Sequence, residues 1–190
     1  MSGGPANSFY EVLITSQIDG TALTASTTPT SIIPPAARFT LPSNFFAIGK
    51  KLRVKASGRI TTVTTPGNLT LDVRLGASTV IFNGGATALN ATVQTNQTWE
   101  LEVDLTCRSI GNSTLATILG TGKWTSRASL NGPAVGTTTG VGVVLLPDTA
   151  PVVGTGFDST VTNVVDLFAT FGTNNANSIQ VHQYSLESLN

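Results

Sequence analysis

The alternating stretch at residues 98–127 constrains the fold more than any other part of this 190-residue chain. From residue 99 to residue 108, apolar residues alternate with charged or hydroxyl-bearing residues. A period of two is typical of a strand with one buried face and one solvated face. Gly111 and Asn112 tolerate the backbone conformations of a tight turn. The stretch therefore predicts a long antiparallel hairpin, with Trp99 on its buried face.

Similar apolar patterns recur along the chain, and Gly, Pro and Asn lie between them. Residues 43–47 predict one helical turn, and no longer helix is expected. The sequence predicts an all-β protein, a jelly-roll β-sandwich of about eight long antiparallel strands with an extended N-terminal arm. The strands predicted outside the central hairpin cover residues 9–14, 50–64, 69–75, 78–83, 138–146, 160–172 and 178–189.

The first part of the chain differs in composition from the rest. Residues 19–42 are rich in Thr, Ala, Ser and Pro, and proline lacks the donor that a central strand needs. The predicted division is an extended arm at residues 1–42 and a sandwich domain at residues 43–190. The arm is expected to lie on a surface, either its own or a neighbour's, and to carry attachment. Deletion of residues 1–35 is expected to leave a folded domain that no longer attaches.

The low charge of the chain limits its partners. Charged residues make up 11% of the sequence, with ten basic and ten acidic side chains, against about 25% in an average protein. Nucleic acid is not expected as a partner, because phosphates need clustered Lys and Arg. No apolar run approaches a membrane span, and the N-terminus lacks the pattern of a signal peptide. Synthesis in the cytoplasm and residence in an assembly are therefore expected.

Side chains that carry chemistry are sparse. The single histidine, His182, stands on the last predicted strand without a nucleophile motif beside it, so we expect an ordinary sheet or interface residue and no enzyme. Cys107 is expected to be a small buried hydrophobe. One Cys and one His are too few for a zinc site. Cofactors and metals are not expected. Only Tyr10, Tyr184 and Phe157 are candidate aromatic platforms for a sugar.

Two strands carry opposite charges on one face each. The basic ladder consists of Lys51, Arg53 and Lys55, and the acidic ladder consists of Glu100, Glu102 and Asp104. Because opposite charges stabilise a strand pair, we predict that the strands lie in one sheet, adjacent or one strand apart, with the ladders facing each other. The competing arrangement pairs the ladders of two subunits. Glu102→Lys should then be rescued by Arg53→Glu.

Several stretches resemble a family of short virion structural proteins common in tailed-bacteriophage genomes. The similarity spans about residues 40–190. It is carried by residues 41–60, 69–76, 99–111, 153–160 and 177–190. The resemblance implies a trimeric jelly roll of the tumour-necrosis-factor type, used as a capsid decoration (cement) protein or as a tail or fibre component.

The resemblance also implies a location and a set of partners. The protein would be located in the virion and would bind itself as a homotrimer, together with the major capsid protein or other virion proteins. A carbohydrate-binding module is the alternative from another class, with a surface glycan as partner. The residues expected at the threefold contact lie on the last two predicted strands: Phe168, Phe171, Ile179, Val181 and Tyr184.

Overall fold

A computed structural model describes residues 10–129 and 142–189 of the chain. In these ranges it has thirteen strands and one 3-10 turn at Pro35–Ala37. No helix among them is long and apolar enough to cross a bilayer. The strands are β1 (Glu11–Thr15), β2 (Leu23–Thr24), β3 (Thr30–Ser31), β4 (Phe39–Leu41), β5 (Lys51–Thr62), β6 (Asn68–Leu75), β7 (Thr79–Asn83), β8 (Thr87–Ala88), β9 (Gln94–Ser109), β10 (Thr117–Ser126), β11 (Gly142–Leu146), β12 (Asn163–Phe171) and β13 (Ser178–Ser188).

The strands form two antiparallel sheets. Sheet A has seven strands in the order β1-β13-β5-β9-β10-β11, with β2 also paired to β13. Sheet B has six strands in the order β3-β12-β6-β7, with β4 on β12 and β8 on β6. The predicted fold class, an all-β jelly-roll sandwich, is confirmed. Within the described ranges, six strands reach eight residues or more.

The core lies between the two sheets. In β5 and β9 buried and more exposed residues alternate, because successive side chains of a strand point to opposite faces. Trp99 and Trp124 are among the largest fully buried side chains. Cys107 is buried as predicted, and burial raises the pKa of its thiol. Glycine is required at Gly58, where a Cβ would collide with the carbonyl oxygen of Gln180 on the next strand.

The described part of the arm, residues 10–42, lies on the protein's own sandwich. Strands β1 and β2 pair with β13 in sheet A, whereas β3 and β4 pair with β12 in sheet B. Ile32, Ile33 and Leu41 are buried in the core, so the arm contributes to that core. The described part of the arm is therefore a structural element of the sandwich, and its deletion would expose apolar surface.

The central hairpin is present and longer than predicted. Strand β9 begins at Gln94 and has 16 residues, although the polar residues before Thr98 indicated a loop. Residues 43–47 form no helical turn; Asn44 has a φ of 58° and the segment is a turn. The predicted strand at 138–146 is described only from residue 142 onward, where β11 begins.

Candidate functional site

The outer face of sheet A carries side chains in rows that run across the strands. Pairing aligns Gln183 on β13, Ser57 on β5, Glu100 on β9 and Thr125 on β10. We call this line the neutral row, because three of its four side chains are uncharged. In the next row Glu102 of the acidic ladder lies between Lys55 and Lys123, and Ser185 lies on the other side of Lys55. Four strands separated by many residues thus build one continuous surface.

A groove of about 510 Å³ follows these rows, and we call it the sheet A groove. Its floor contains short side chains such as Ser57, Thr125 and Ser185, and longer ones such as Lys55 and Gln183 stand around them. A depression forms because the side chains in the middle of the surface are short. Hydroxyl, amide, carboxylate and ammonium groups therefore surround one open space.

The two charge ladders face each other in this sheet, as predicted. Strands β5 and β9 are neighbours, and their register places Arg53 opposite Asp104 and Lys55 opposite Glu102. The Arg53 Nε lies 2.6 Å from the Asp104 Oδ1, and its Nη2 lies 3.0 Å from Oδ2. This two-pronged hydrogen bond lowers the pKa of Asp104 and raises that of Arg53.

The remaining ladder residues have other neighbours. The Lys55 Nζ lies 3.1 Å from the buried Glu187 on β13, which raises the pKa of Lys55. Glu102 lies 3.7 Å from Lys123 on β10. Within this chain Arg53 therefore pairs with Asp104 and not with Glu102, the residue whose substitution Arg53→Glu was predicted to rescue.

Strand register places the other two ladder positions beside uncharged residues. Register places Lys51 opposite Thr106, and Glu100 lies between Ser57 and Thr125. Within the described residues Glu100 has no ion-pair partner, and its side chain lines the sheet A groove. A carboxylate in that position can accept hydrogen bonds from a ligand.

The residues predicted at a threefold contact are not on an open surface of this chain. Phe171, Ile179, Val181 and Tyr184 are buried in the core of this chain, so they cannot form a contact between subunits. Phe168 points away from that core, yet the residue is only 8% exposed, because the Arg74 guanidinium covers its ring at 4.5 Å. The prediction failed because apolar residues on a strand look alike whether they face a core or a partner.

Of the three candidate aromatic platforms, one is accessible. Tyr184 and Phe157 are buried, whereas Tyr10 is 60% exposed. Tyr10 lies beside Glu187 of β13, and a hydrogen bond with that carboxylate raises the pKa of the Tyr10 hydroxyl. His182 lies with its Nδ1 2.9 Å from the Asp19 carboxylate of the arm. No group of three metal-ligating side chains was found within residues 10–129 and 142–189.

The outer face of sheet B carries a second charged cluster, which is largely closed to solvent. The Asp166 carboxylate accepts a hydrogen bond from the Ser31 hydroxyl at 2.6 Å and lies 2.9 Å from the Arg38 Nε. Asp72 lies 2.9 Å from the Arg74 Nη2. Burial raises the pKa of both Asp72 and Asp166 despite these partners. This cluster fastens the arm to sheet B.

Comparison with known proteins gives no family for this chain. No family model matches it, and no curated protein matches it. Solved structures with some similarity include the lectin I of Ulex europaeus in complex with the methyl glycoside of alpha-L-fucose, at 11% identity and a TM-score of 0.33, covering 85% of this chain and 77% of that one. Another is the CBM2 module of the evolved Dit of Lactobacillus casei BL23 phage J-1, at 8% identity and a TM-score of 0.31, covering 96% and 98%. Likenesses this weak carry no argument about function.

The groove is the feature that sequence reasoning missed. Gln183, Ser57 and Thr125 are ordinary polar residues of three different strands, and no local motif joins them. Only the register of β13, β5, β9 and β10 brings them into one row. The acidic ladder was the available signal, since it marked the outer face on which the groove lies.

Proposed function

We propose that this chain is a non-enzymatic structural module of a bacteriophage virion that binds carbohydrate in the sheet A groove. The observation that carries the proposal is the groove itself, an open space of about 510 Å³ surrounded by hydrogen-bonding side chains. Sugars present many hydroxyl groups, and they need donors and acceptors together with a fixed geometry. Strands of a sheet supply that geometry better than loops.

The charges in the groove favour a neutral ligand. Lys55 and Lys123 offset Glu100 and Glu102 among the groove-lining residues. A strongly acidic ligand would pair with the two lysines and leave the two carboxylates without a counter-charge, and a strongly basic ligand would do the reverse. The exposed Tyr10 beside Glu187 offers one aromatic ring for a sugar.

The virion location rests on the resemblance of residues 40–190 to phage structural proteins. Location in a virion, binding of other virion proteins and the absence of catalysis belong to this proposal. A module that binds surface carbohydrate fits a tail or fibre, since those parts meet the host first.

A glycan array with the purified protein tests the binding. Gln183→Ala should weaken the affinity for the bound glycan by about fivefold, the loss of one hydrogen bond. The matched control is Gln17→Ala, since Gln17 is exposed on the arm and does not line the groove. Absence of binding to every glycan, or equal affinity of the two variants, would contradict the proposal.

A capsid decoration protein is the second candidate, favoured by apolar residues at one end of the sandwich. Ile48, Ile110, Leu115 and Val161 are each about half exposed or more. Backbone hydrogen bonds join their loops, including Asn44 N to Ser159 O at 3.0 Å and Ser159 N to Gly111 O at 2.9 Å. Exposed apolar patches of this kind mark protein contacts.

Negative-stain images of virions labelled for this protein distinguish the two candidates. Label at one vertex supports a tail module, and label spread over the head supports capsid decoration. Light scattering of the purified protein tests the homotrimer.

A further inference from the structure

A second groove lies beside the first on the outer face of sheet A. It has a volume of about 500 Å³, and we call it the β11 groove. Glu102 and Lys123 line both grooves. Its other contributors include Asp104 of β9, Thr121 of β10, Leu145 of β11, and Pro147 and Pro151 of the segment that follows β11.

We infer that the ligand of sheet A is a linear, uncharged polysaccharide chain that runs from the sheet A groove past Lys123 into the β11 groove. This inference rests on the proposed function and adds the form and charge of the ligand. Two neighbouring grooves that share two lining residues make one path, with the side chains of Glu102 and Lys123 at their junction.

The length of the path exceeds a single sugar. The path crosses from β13 to β11, and these strands are separated by β5, β9 and β10. Four steps at a strand spacing of about 4.8 Å give a distance of about 19 Å. That distance is several times the width of one sugar ring, so a ligand that fills both grooves is an oligomer.

The junction of the two grooves is polar but balanced. Glu102 and Lys123 lie 3.7 Å apart, with side chains 34% and 54% exposed. Asp104, which lines the β11 groove, is already paired with Arg53. A chain with a charge on each unit would compete with these pairs, whereas hydroxyl groups can bond to both members of the exposed pair.

The far end of the path is more apolar. Leu145 is 76% exposed, and Pro147 and Pro151 lie beside it. The C–H faces of sugar rings pack against such surfaces, whereas their hydroxyl groups need the polar row at the other end. A Cβ at Gly122 would collide with the carbonyl oxygen of Glu102. Gly122 is therefore unsuitable for a test by substitution.

The test uses the full chain and size-graded fragments of a neutral glycan that the array identifies. Calorimetry should show affinity that rises with fragment length until both grooves are filled. Leu145→Asp should lower the affinity for the longest fragments by about tenfold. Leu115→Asp is the matched control, because Leu115 is also exposed but lies at the loop end of the sandwich.

Backbone amide shifts give a second readout. Only long fragments should perturb the amide shifts of residues 145–151, whereas short fragments should perturb those of Ser57 and Thr125.

Affinity independent of length, or length dependence equal in the two leucine variants, would overturn this inference, as would preference for an acidic polymer. Those outcomes leave the proposed function standing if Gln183→Ala still weakens binding. Failure of every glycan to bind would overturn both.

Discussion

The outer faces of the two sheets use charge in opposite ways. On sheet A the pair Arg53–Asp104 is open to water, with side chains 28% and 33% exposed. On sheet B the Asp72 and Asp166 side chains are 6% exposed, and arm residues Ser31 and Arg38 contact Asp166. One face is left accessible, and the other is closed by the chain's own arm.

The difference shows how a sandwich keeps one face free for a ligand. Exposed ion pairs contribute little to stability and mainly fix register. A buried carboxylate is costly unless it is paired and hydrogen-bonded. Sheet B therefore depends on its arm, whereas an exposed pair of sheet A such as Glu102–Lys123 can lose one charge at small cost.

The largest effect is expected where the arm enters the core. Ile32 is fully buried, and its N–H donates to the Leu167 carbonyl at 3.0 Å. Ile32→Ala should lower the free energy of unfolding by about 2–5 kcal/mol, through lost contacts and a cavity. Urea denaturation measures this loss. Ile18→Ala, at an arm residue that is 64% exposed, should change stability by less than about 0.5 kcal/mol. Equal effects would show that the arm is only loosely attached.

The two faces should respond to pH with opposite signs. The Arg53 hydrogen bond lowers the pKa of Asp104, so its contribution exists above about pH 3.9 and is lost as the pH falls through the lower folded value. Burial raises the pKa of Asp166, so its contribution is present below about pH 3.9 and is lost as the pH rises through the folded value.

Urea denaturation between acid and neutral pH measures both contributions. The stability advantage of the wild type over Asp104→Asn should grow as the pH rises. Its advantage over Asp166→Asn should shrink over the same range. A change of the same sign in both comparisons would remove the contrast between the faces.

The smallest effect is expected at the junction of the grooves. Glu102→Lys should lower the free energy of unfolding by about 0.2–1 kcal/mol, because the pair with Lys123 is exposed. Adding Lys123→Glu should restore most of the loss, whereas adding Arg53→Glu should not, since Arg53 pairs with Asp104. A double-mutant cycle in low salt measures the coupling. Rescue by Arg53→Glu alone would show that the ladders pair in a different register.

The sequence predicted the parts of the fold that depend on local pattern. Alternation at residues 98–108 predicted most of β9, and the two charged ladders predicted that β5 and β9 lie in one sheet, adjacent or one strand apart, where the structure has them adjacent. The short strands β2 and β3 have two residues each, so they show no period and their pairing depends on distant partners. The sheet A groove was hidden for the same reason, since only register assembles it.

The order of strands in sheet A has a consequence for synthesis. Strand β5 lies between β9 and β13, and Lys55 of β5 contacts Glu187 of β13, 132 positions away in the chain. The middle of the sheet therefore cannot close until β13 has left the ribosome. Such distant pairing makes folding slow. During that delay β5 exposes an unpaired edge, and an exposed edge is a template for pairing with another copy. Lower growth temperatures during expression should therefore raise the yield of folded protein.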